Sequence, residues 1–494
     1  MIALNADFLM STEEECLTST PADPDVLPFA LNKLFQILPH VAPSLPGPVG
    51  FFNGYGRIYV DCEHIELSMP ETHSPYVLAL IVERQQRVAA AARDQLAAQG
   101  YDLLLANNNH SGLLHRLSPV WGAHENYLVE QHPTSFTELI LPFLVTRFYA
   151  GAGGIESPTG NFLAGVRPLC MKEVTGGGTT SDRAIHSTCR EEHHMGTATT
   201  RFRYHCILGD GHRSQFNLAL QFGATALALK AIFFDPKLPG QLARRGALAR
   251  GRWISALQQL NVLQPSGGVL QIDPVVTQVQ RIYLDSARRY VDQLSNAPHW
   301  ISDLLRDWDA TLSAAERLDR SWLSARLDTF AKYEFYSSIL ADEGMTFREL
   351  AGRPHMFSEL ALLDHSYHNF CDPESVFRLL EHAGLLEHRV GPSVPPGEEA
   401  EPFIPECATR AAARARFIKE HAGEDHYLVD WSLIRDRRTN RIAALEHPFA
   451  VEFDPWTPLP DGPPDLTLPR SLEQARQRLR QLRDAIAHSD DTPF

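Results

Sequence analysis

No uninterrupted apolar run in the 494 residues approaches the ~18 needed to cross a bilayer. The first residues, MIALNADFLMSTEEEC, lack a basic segment followed by an apolar one, so neither a membrane span nor a secretory leader is expected. The seven cysteines form no CxxC pair. This argues against a disulfide scaffold or a cysteine zinc site and fits a reducing cytoplasm. Basic charge is scarce: 45 Lys and Arg stand against 60 Asp and Glu, a formal charge of −15, which disfavours a nucleic-acid partner. The exception is Ala243 to Arg252, with four Arg in ten residues, read as a solvated face or a local site for an acidic partner. HExxH and GxSxG are missing. Gly176 to Thr180, GGGTT, lacks the lysine of a phosphate-binding loop, so a Walker-type ATPase is unsupported. Neither an internal repeat nor a low-complexity segment is present.

What is there is a mixed chain. Tyr76 to Ala98 has the period of a helix and is closed by Gly100. Tyr101 to Ala106 and Phe202 to Leu208 read as strands; Glu138 to Tyr149 and Phe216 to Lys230 read as apolar helices. From about Pro274 to Leu386 the pattern is mostly helical. Gly391 to Cys407 is rich in Pro, Gly and Glu and predicts a linker, dividing the chain into 1–395 and 396–494. The second unit should hold a basic helix, Arg410 to Glu420, a strand, Tyr427 to Ile434, and a last helix opened by Ser471 with Gln474 three residues on.

Three polar stretches sit on strand-like alternation. In Ser11 to Cys16, STEEEC, side chains alternate faces, so Glu13 and Glu15 point one way and Glu14 the other. Two parallel carboxylates suit a hard cation such as Mg²⁺; a solvated acidic arm is the alternative. In Arg57 to Leu67, RIYVDCEHIEL, a single strand would put Tyr59, Asp61 and Glu63 on one face, with Ile58, Val60, Cys62 and His64 opposite. The core anchor of Ile58 and Val60 would hold Asp61 at a defined position, where a carboxylate can act as base or nucleophile. In Arg201 to Asp210, Arg203 and His205 share a face with Arg201, an arrangement that suits an anion such as phosphate, or a structural ion-pair face. Trp121 to Leu128 adds His124, Glu125 and Asn126.

Taken in order, these stretches resemble the Pup ligase and depupylase family, carboxylate–amine ligases with a glutamine-synthetase-like fold. The family's Gly-x-Glu-x-Glu strand stands here as Ser11 to Leu17; its Asn-Gly-x-x-x-Tyr-x-Asp strand as Asn53 to Asp61, followed by His64 to Leu67. Asn107-Asn108, His124 to Leu128, Leu141 to Arg147 and Arg203 to Asp210 follow in the family's order, and the likeness continues through Leu362 to Phe370 and Val429 to Ile434. The resemblance implies an α+β fold, a curved antiparallel sheet packed with helices plus a small C-terminal domain. It implies that Glu13, Glu15, Glu66 and His205 hold magnesium, that Tyr59 and Arg203 contact ATP, and that Trp431 closes the nucleotide site. Asp61 falls on the family's catalytic Asp, and Glu125 is a further candidate at the site.

The implied reaction is ATP-dependent joining of a carboxylate to an amine. The donor would be a Pup-like small protein or peptide, and the acceptor an amine such as protein lysine. Depupylases of the family carry a long insertion before the catalytic Asp. Here about 45 residues separate Glu15 from Asp61, the ligase-like spacing. An isopeptidase or amidase on the same scaffold, a degenerate nucleotide-binding module and a small-molecule ligase are the alternatives. The departures, Ser11 and Leu17 for glycines, Cys16 for an aromatic, Ile65 for a proline, and an altered Arg190 to His194, leave the Mg–ATP groups in place and bear on the substrate.

Overall fold

The computed structural model describes residues 7–38, 42–44, 50–61, 64–115, 118–178, 182–187, 201–245, 251–391, 409–421 and 423–459. Its centre is a nine-stranded sheet built from Met10–Glu15 (β1), Ala42–Pro43 (β2), Gly50–Asn53 (β3), Gly56–Asp61 (β4), His64–Ser68 (β5), Ala123–Val129 (β6), Glu173–Gly176 (β7), Ala184–Ser187 (β8) and Phe202–Gly209 (β9). The order across the sheet is β7-β8-β9-β6-β1-β5-β4-β3-β2. All neighbours are antiparallel except β7 and β8, so the expected antiparallel sheet is in fact mixed at one edge. β1, the strand of consecutive glutamates, lies at the middle.

Strand alternation gives the sheet two unlike faces. One carries Ile58, Ile65, Leu67, Tyr127, Tyr204 and Cys206, all buried in one core with Leu78 and Val82 of the Pro75–Ala97 helix and Phe222 of the Gln215–Phe234 helix. The Tyr127 and Phe222 rings meet at 5.8 Å. Gln215–Phe234 is long and apolar enough to cross a membrane by length and composition, but 89% of its apolar window is buried, which is the signature of a core helix. The other face is polar and carries the site.

The long helices expected after Pro274 are present, including Pro274–Val291, His299–Arg317, Asp328–Asp342 and Pro354–His368. A smaller four-stranded sheet with the Arg410–Glu420 helix follows. Its core joins Ile418, Val429 and Ile434 to Ala42 and Phe52 of the main sheet.

Several local expectations are corrected. RIYVDCEHIEL is a hairpin: β4 ends at Asp61, β5 begins at His64, and the two residues pair across the strands. His64 therefore returns to the Asp61 face instead of opposing it. Tyr427 to Ile434 is likewise two antiparallel strands, Tyr427–Val429 and Leu433–Asp436, with Trp431 in the turn. The helix at Glu138 spans Thr137–Val145 and stops before Arg147, whose backbone leaves the helical region. Thr146 Oγ1 caps the end by donating to Pro142 O at 2.7 Å. The strand at Tyr101 is confined to Leu104–Ala106. The linker beyond Gly391, the Ser471 helix, Arg190 to His194, and Cys62 and Glu63 lie outside the described residues.

Candidate active site

The polar face is assembled by register. Glu13 of β1 pairs with His124 on β6 and with Ser68 on β5; Glu15 pairs with Glu66, and Glu66 with Tyr59 on β4. Asp61 stands one step further along the same face, opposite His64. His205 of β9 pairs with Asn126 of β6. Paired residues in a sheet point to the same side. Glu13, Glu15, Tyr59, Asp61, Glu66, Arg203 and His205, singled out from the sequence, are thus brought onto one surface.

Glu13 is the hub. Its Oε1 accepts from Arg203 Nη2 at 2.7 Å and from Asn126 Nδ2 at 3.3 Å, while Arg203 Nε donates to Asn126 Oδ1 at 2.7 Å. His124 lies between the two β1 carboxylates, its Nδ1 3.6 Å from Glu13 Oε2 and its Nε2 3.5 Å from Glu15 Oε1. His205 Nε2 is 4.0 Å from Glu13 Oε2. Arg167 is completely buried and donates to Glu15 Oε2 at 3.3 Å and to Ile207 O at 3.0 Å. Gly122 is required here: a Cβ on it would lie 2.7 Å from Gly209 O and 2.9 Å from Arg167 Nε.

The electrostatics of the three acids differ. Burial raises the pKa of Glu13, but Arg203 and the two histidines more than offset it and hold the carboxyl well below its usual range. Glu15 is lowered in the same way, burial being outweighed by His124 and Arg167. Glu66 is pushed well above its usual range by burial and then by the charges of Glu13 and Glu15, and it forms no ion pair among the described residues. Burial, Glu66 and Glu13 raise Tyr59 too.

The donors fit a divalent ion. Glu13 Oε2 and His124 Nδ1 are buried without hydrogen-bond partners among the described residues. One ligand atom each from Glu13, His124 and His205 lie within 4.8 Å of one another. The carboxylate oxygens suit a hard ion such as Mg²⁺ or Mn²⁺, and the imidazole nitrogens would add to its shell.

Trp431 connects to Tyr59 through intervening side chains. Arg57 lies over the Tyr59 ring at 4.5 Å and the Phe52 ring at 5.8 Å; Arg414 lies over Phe52 at 5.5 Å and Trp431 at 4.9 Å. This ladder of rings and guanidinium groups runs from Tyr59 to Trp431 across the seam with the smaller sheet.

Glu125 does not belong to the site. It pairs with Thr12 on the core face and accepts two hydrogen bonds, each 2.7 Å, from Arg147, both side chains fully buried. Glu14 also faces the core, accepting from Gln86 Nε2 at 2.8 Å, and burial raises its pKa to about 7. The sequence reading missed His124 and Asn126 as site residues, though alternation through His124-Glu125-Asn126 places those two on the face of Glu13. It also missed Arg167, which no local pattern marks.

The sequence model of the family described as Pup-ligase protein matches residues 36–435. A Pup–protein ligase of Brachybacterium faecium is 30% identical over 438 residues, covering 82% of this chain and 85% of that protein. One of Acidimicrobium ferrooxidans is 28% identical, covering 81% and 87%. Among solved structures, the complex of the prokaryotic ubiquitin-like protein Pup with its ligase PafA superposes with a TM-score of 0.69 at 22% identity, covering 90% of each chain. PafA in complex with ADP superposes with a TM-score of 0.63 at 22% identity, covering 81% of this chain and 87% of that one. These structures establish the glutamine-synthetase-like α+β fold. On the extent of both the family match and the 30% relative, the chain belongs to the Pup-ligase protein family.

Proposed function

We infer that the protein is an ATP- and Mg²⁺-dependent carboxylate–amine ligase that joins the carboxylate of Pup, or a small Pup-like protein, to an amine, lysine on a protein acceptor. The observation that carries this reading is the convergence, in a chain of this family, of Glu13, Glu15, Glu66 and His205 with Arg203 and Asp61 on one sheet face. Glu13, Glu15, Glu66 and His205, with His124 added, would hold the magnesium, which neutralises phosphate charge when bound.

The chain's own groups divide the work. Arg203, fixed by Glu13 and Asn126, presents a fork suited to phosphate oxygens. Tyr59, Arg57 and Trp431 line the route from this face to the smaller sheet, where a nucleotide ring can stack. The donor carboxylate takes the γ-phosphoryl group of ATP, giving an acyl phosphate and ADP. The amine nitrogen then attacks the acyl carbon, phosphate leaves, and Asp61 accepts the amine proton. We place the catalytic unit at 1–395 and the smaller domain at 396–494, and the protein in the cytoplasm, where ATP is available.

The test is Asp61→Asn assayed for conjugate formation and for ADP binding. Conjugation should disappear while ADP affinity stays within a few-fold of the parent. A fully active Asp61→Asn enzyme would remove that residue from the chemistry, and absence of carboxylate-dependent ADP release by the parent would overturn the ligase reading.

A further inference from the structure

We propose that Arg183 anchors the carboxylate of the acyl donor, beside the buried Arg167 and at the end of the site away from Arg203. The inference rests on the ligase reading. Ligation brings two anions into one cleft, a triphosphate and a carboxylate, and each needs its own cationic partner.

The face offers two cationic poles. Arg203 is one, bound to Glu13 and Asn126. The other lies at the Glu15 end of β1. There Glu15 N donates to Gly122 O at 3.0 Å, and Arg167 reaches Glu15. Arg167 is framework: fully buried, it is spent on Glu15, on Ile207 O and on His124, whose Nε2 is 3.2 Å from its Nη2.

Arg183 differs. Its backbone is fixed just before β8, where its carbonyl accepts from Lys172 N at 3.0 Å and Glu173 N at 3.2 Å. Its side chain is half-buried and donates to Val120 O at a long 3.4 Å, while its Nε is buried with no partner among the described residues. It forms no ion pair among the described residues. Glu15 is the carboxylate it feels, and Glu15 is already shared by Arg167 and His124. Burial and the neighbouring Arg167 both disfavour the Arg183 charge. Val120, the Arg183 acceptor, lies two residues before Gly122, whose carbonyl takes the Glu15 N–H, so the Arg183 guanidinium stands at the Glu15 end of the face with donors left for an incoming anion. A planar carboxylate matches this fork, and Asp61 stands at the same end of the face to receive the amine.

The test uses a synthetic peptide ending in glutamate as donor. In steady-state assays Arg183→Ala should raise the donor KM by roughly ten- to hundredfold, the range for a lost charge-assisted hydrogen bond. The KM for ATP should stay within about twofold, and Arg183→Lys should recover part of the loss. Fluorescence anisotropy of the labelled peptide in the presence of ADP supplies an arm without turnover: the parent should bind and Arg183→Ala should not. ADP affinity serves as the folding control. Equal donor affinity in parent and Arg183→Ala, or no peptide binding by the parent, overturns the proposal. Peptide binding that depends on Arg183 without any conjugate from the parent would instead keep the anchor and remove the ligase reading.

Discussion

Glu71 ties the two parts of the molecule together, and its removal should loosen the smaller one. It lies just beyond β5. Its Oε1 accepts from Arg410 Nε at 2.6 Å and its Oε2 from Arg414 Nη2 at 3.1 Å, both arginines on the Arg410–Glu420 helix. Arg414 also donates to Trp431 O at 2.8 Å. Burial opposes the Glu71 charge, but Arg410 and Arg414 prevail and bring its pKa from 4.5 down to about 2. A displacement of that size corresponds to roughly 3 kcal/mol. Breaking a buried pair from one side costs about 3–5 kcal/mol, and the backbone acceptors left to both arginines favour the low end. Glu71→Gln should therefore weaken docking of the Arg410–Glu420 helix by about a hundredfold. Hydrogen exchange reads this directly: amides of that helix and of Leu433–Asp436 should exchange faster by this factor, and those of Gln215–Phe234 should not. The sign with pH follows. A carboxyl lowered by folding gives its full contribution above its unfolded pKa, near 4.5, and loses it as pH falls toward about 2. The parent should thus loosen between about pH 4.5 and 2 while Glu71→Gln shows no such step. Exchange in the helix within threefold of the parent at neutral pH would refute the reasoning.

Three further outcomes are expected. Glu125→Gln leaves a buried arginine charge without its carboxylate and should cost about 3–5 kcal/mol in denaturant unfolding, with ADP affinity unchanged; a large change in nucleotide affinity would return Glu125 to the site. His124→Ala should reduce Mn²⁺ affinity, measured by calorimetry, by roughly ten- to hundredfold, and an unchanged affinity would separate His124 from the metal. Gly56 has φ +122°, and a Cβ there would lie 2.0 Å from Ser68 O. Gly56→Ala should lower stability by about 2–4 kcal/mol by thermal unfolding, and a neutral effect would mean that the β4–β5 contact yields easily.

Alternation alone sorted the glutamates of β1: Glu13 and Glu15 do share the site face, and Glu14 does turn to Gln86. It also sorted Arg203 and His205 from Tyr204 and Cys206. The same rule, applied to a run with a hidden turn, put His64 on the wrong face. Asp61 pairs with His64, yet the sequence between them has neither the glycine nor the asparagine that usually marks a hairpin, so the pairing left no local signal. Trp431 sits in such a reversal too, flanked by Asp430 and Ser432. Glu125 was drawn toward the site by its neighbours in sequence, whereas its partner Arg147 comes from another element 22 positions away. Arg167 reaches Glu15, and Arg183 reaches Val120 O, only through tertiary packing, which a one-dimensional pattern does not contain.

The distance along the chain between Glu13 and Arg203, 190 positions, has a consequence for biosynthesis. At about 5–20 residues per second, roughly 10–40 s of translation separate the carboxylate from its guanidinium. During that interval three adjacent glutamates have no counter-charge from β9, and His205 has yet to be made. The full set of Glu13, Glu15, Glu66, His124 and His205 therefore exists only once the Phe202–Gly209 strand has been made. Truncated products that end before β9 would lack His205 and Arg203, and with them one imidazole and the guanidinium that balances Glu13.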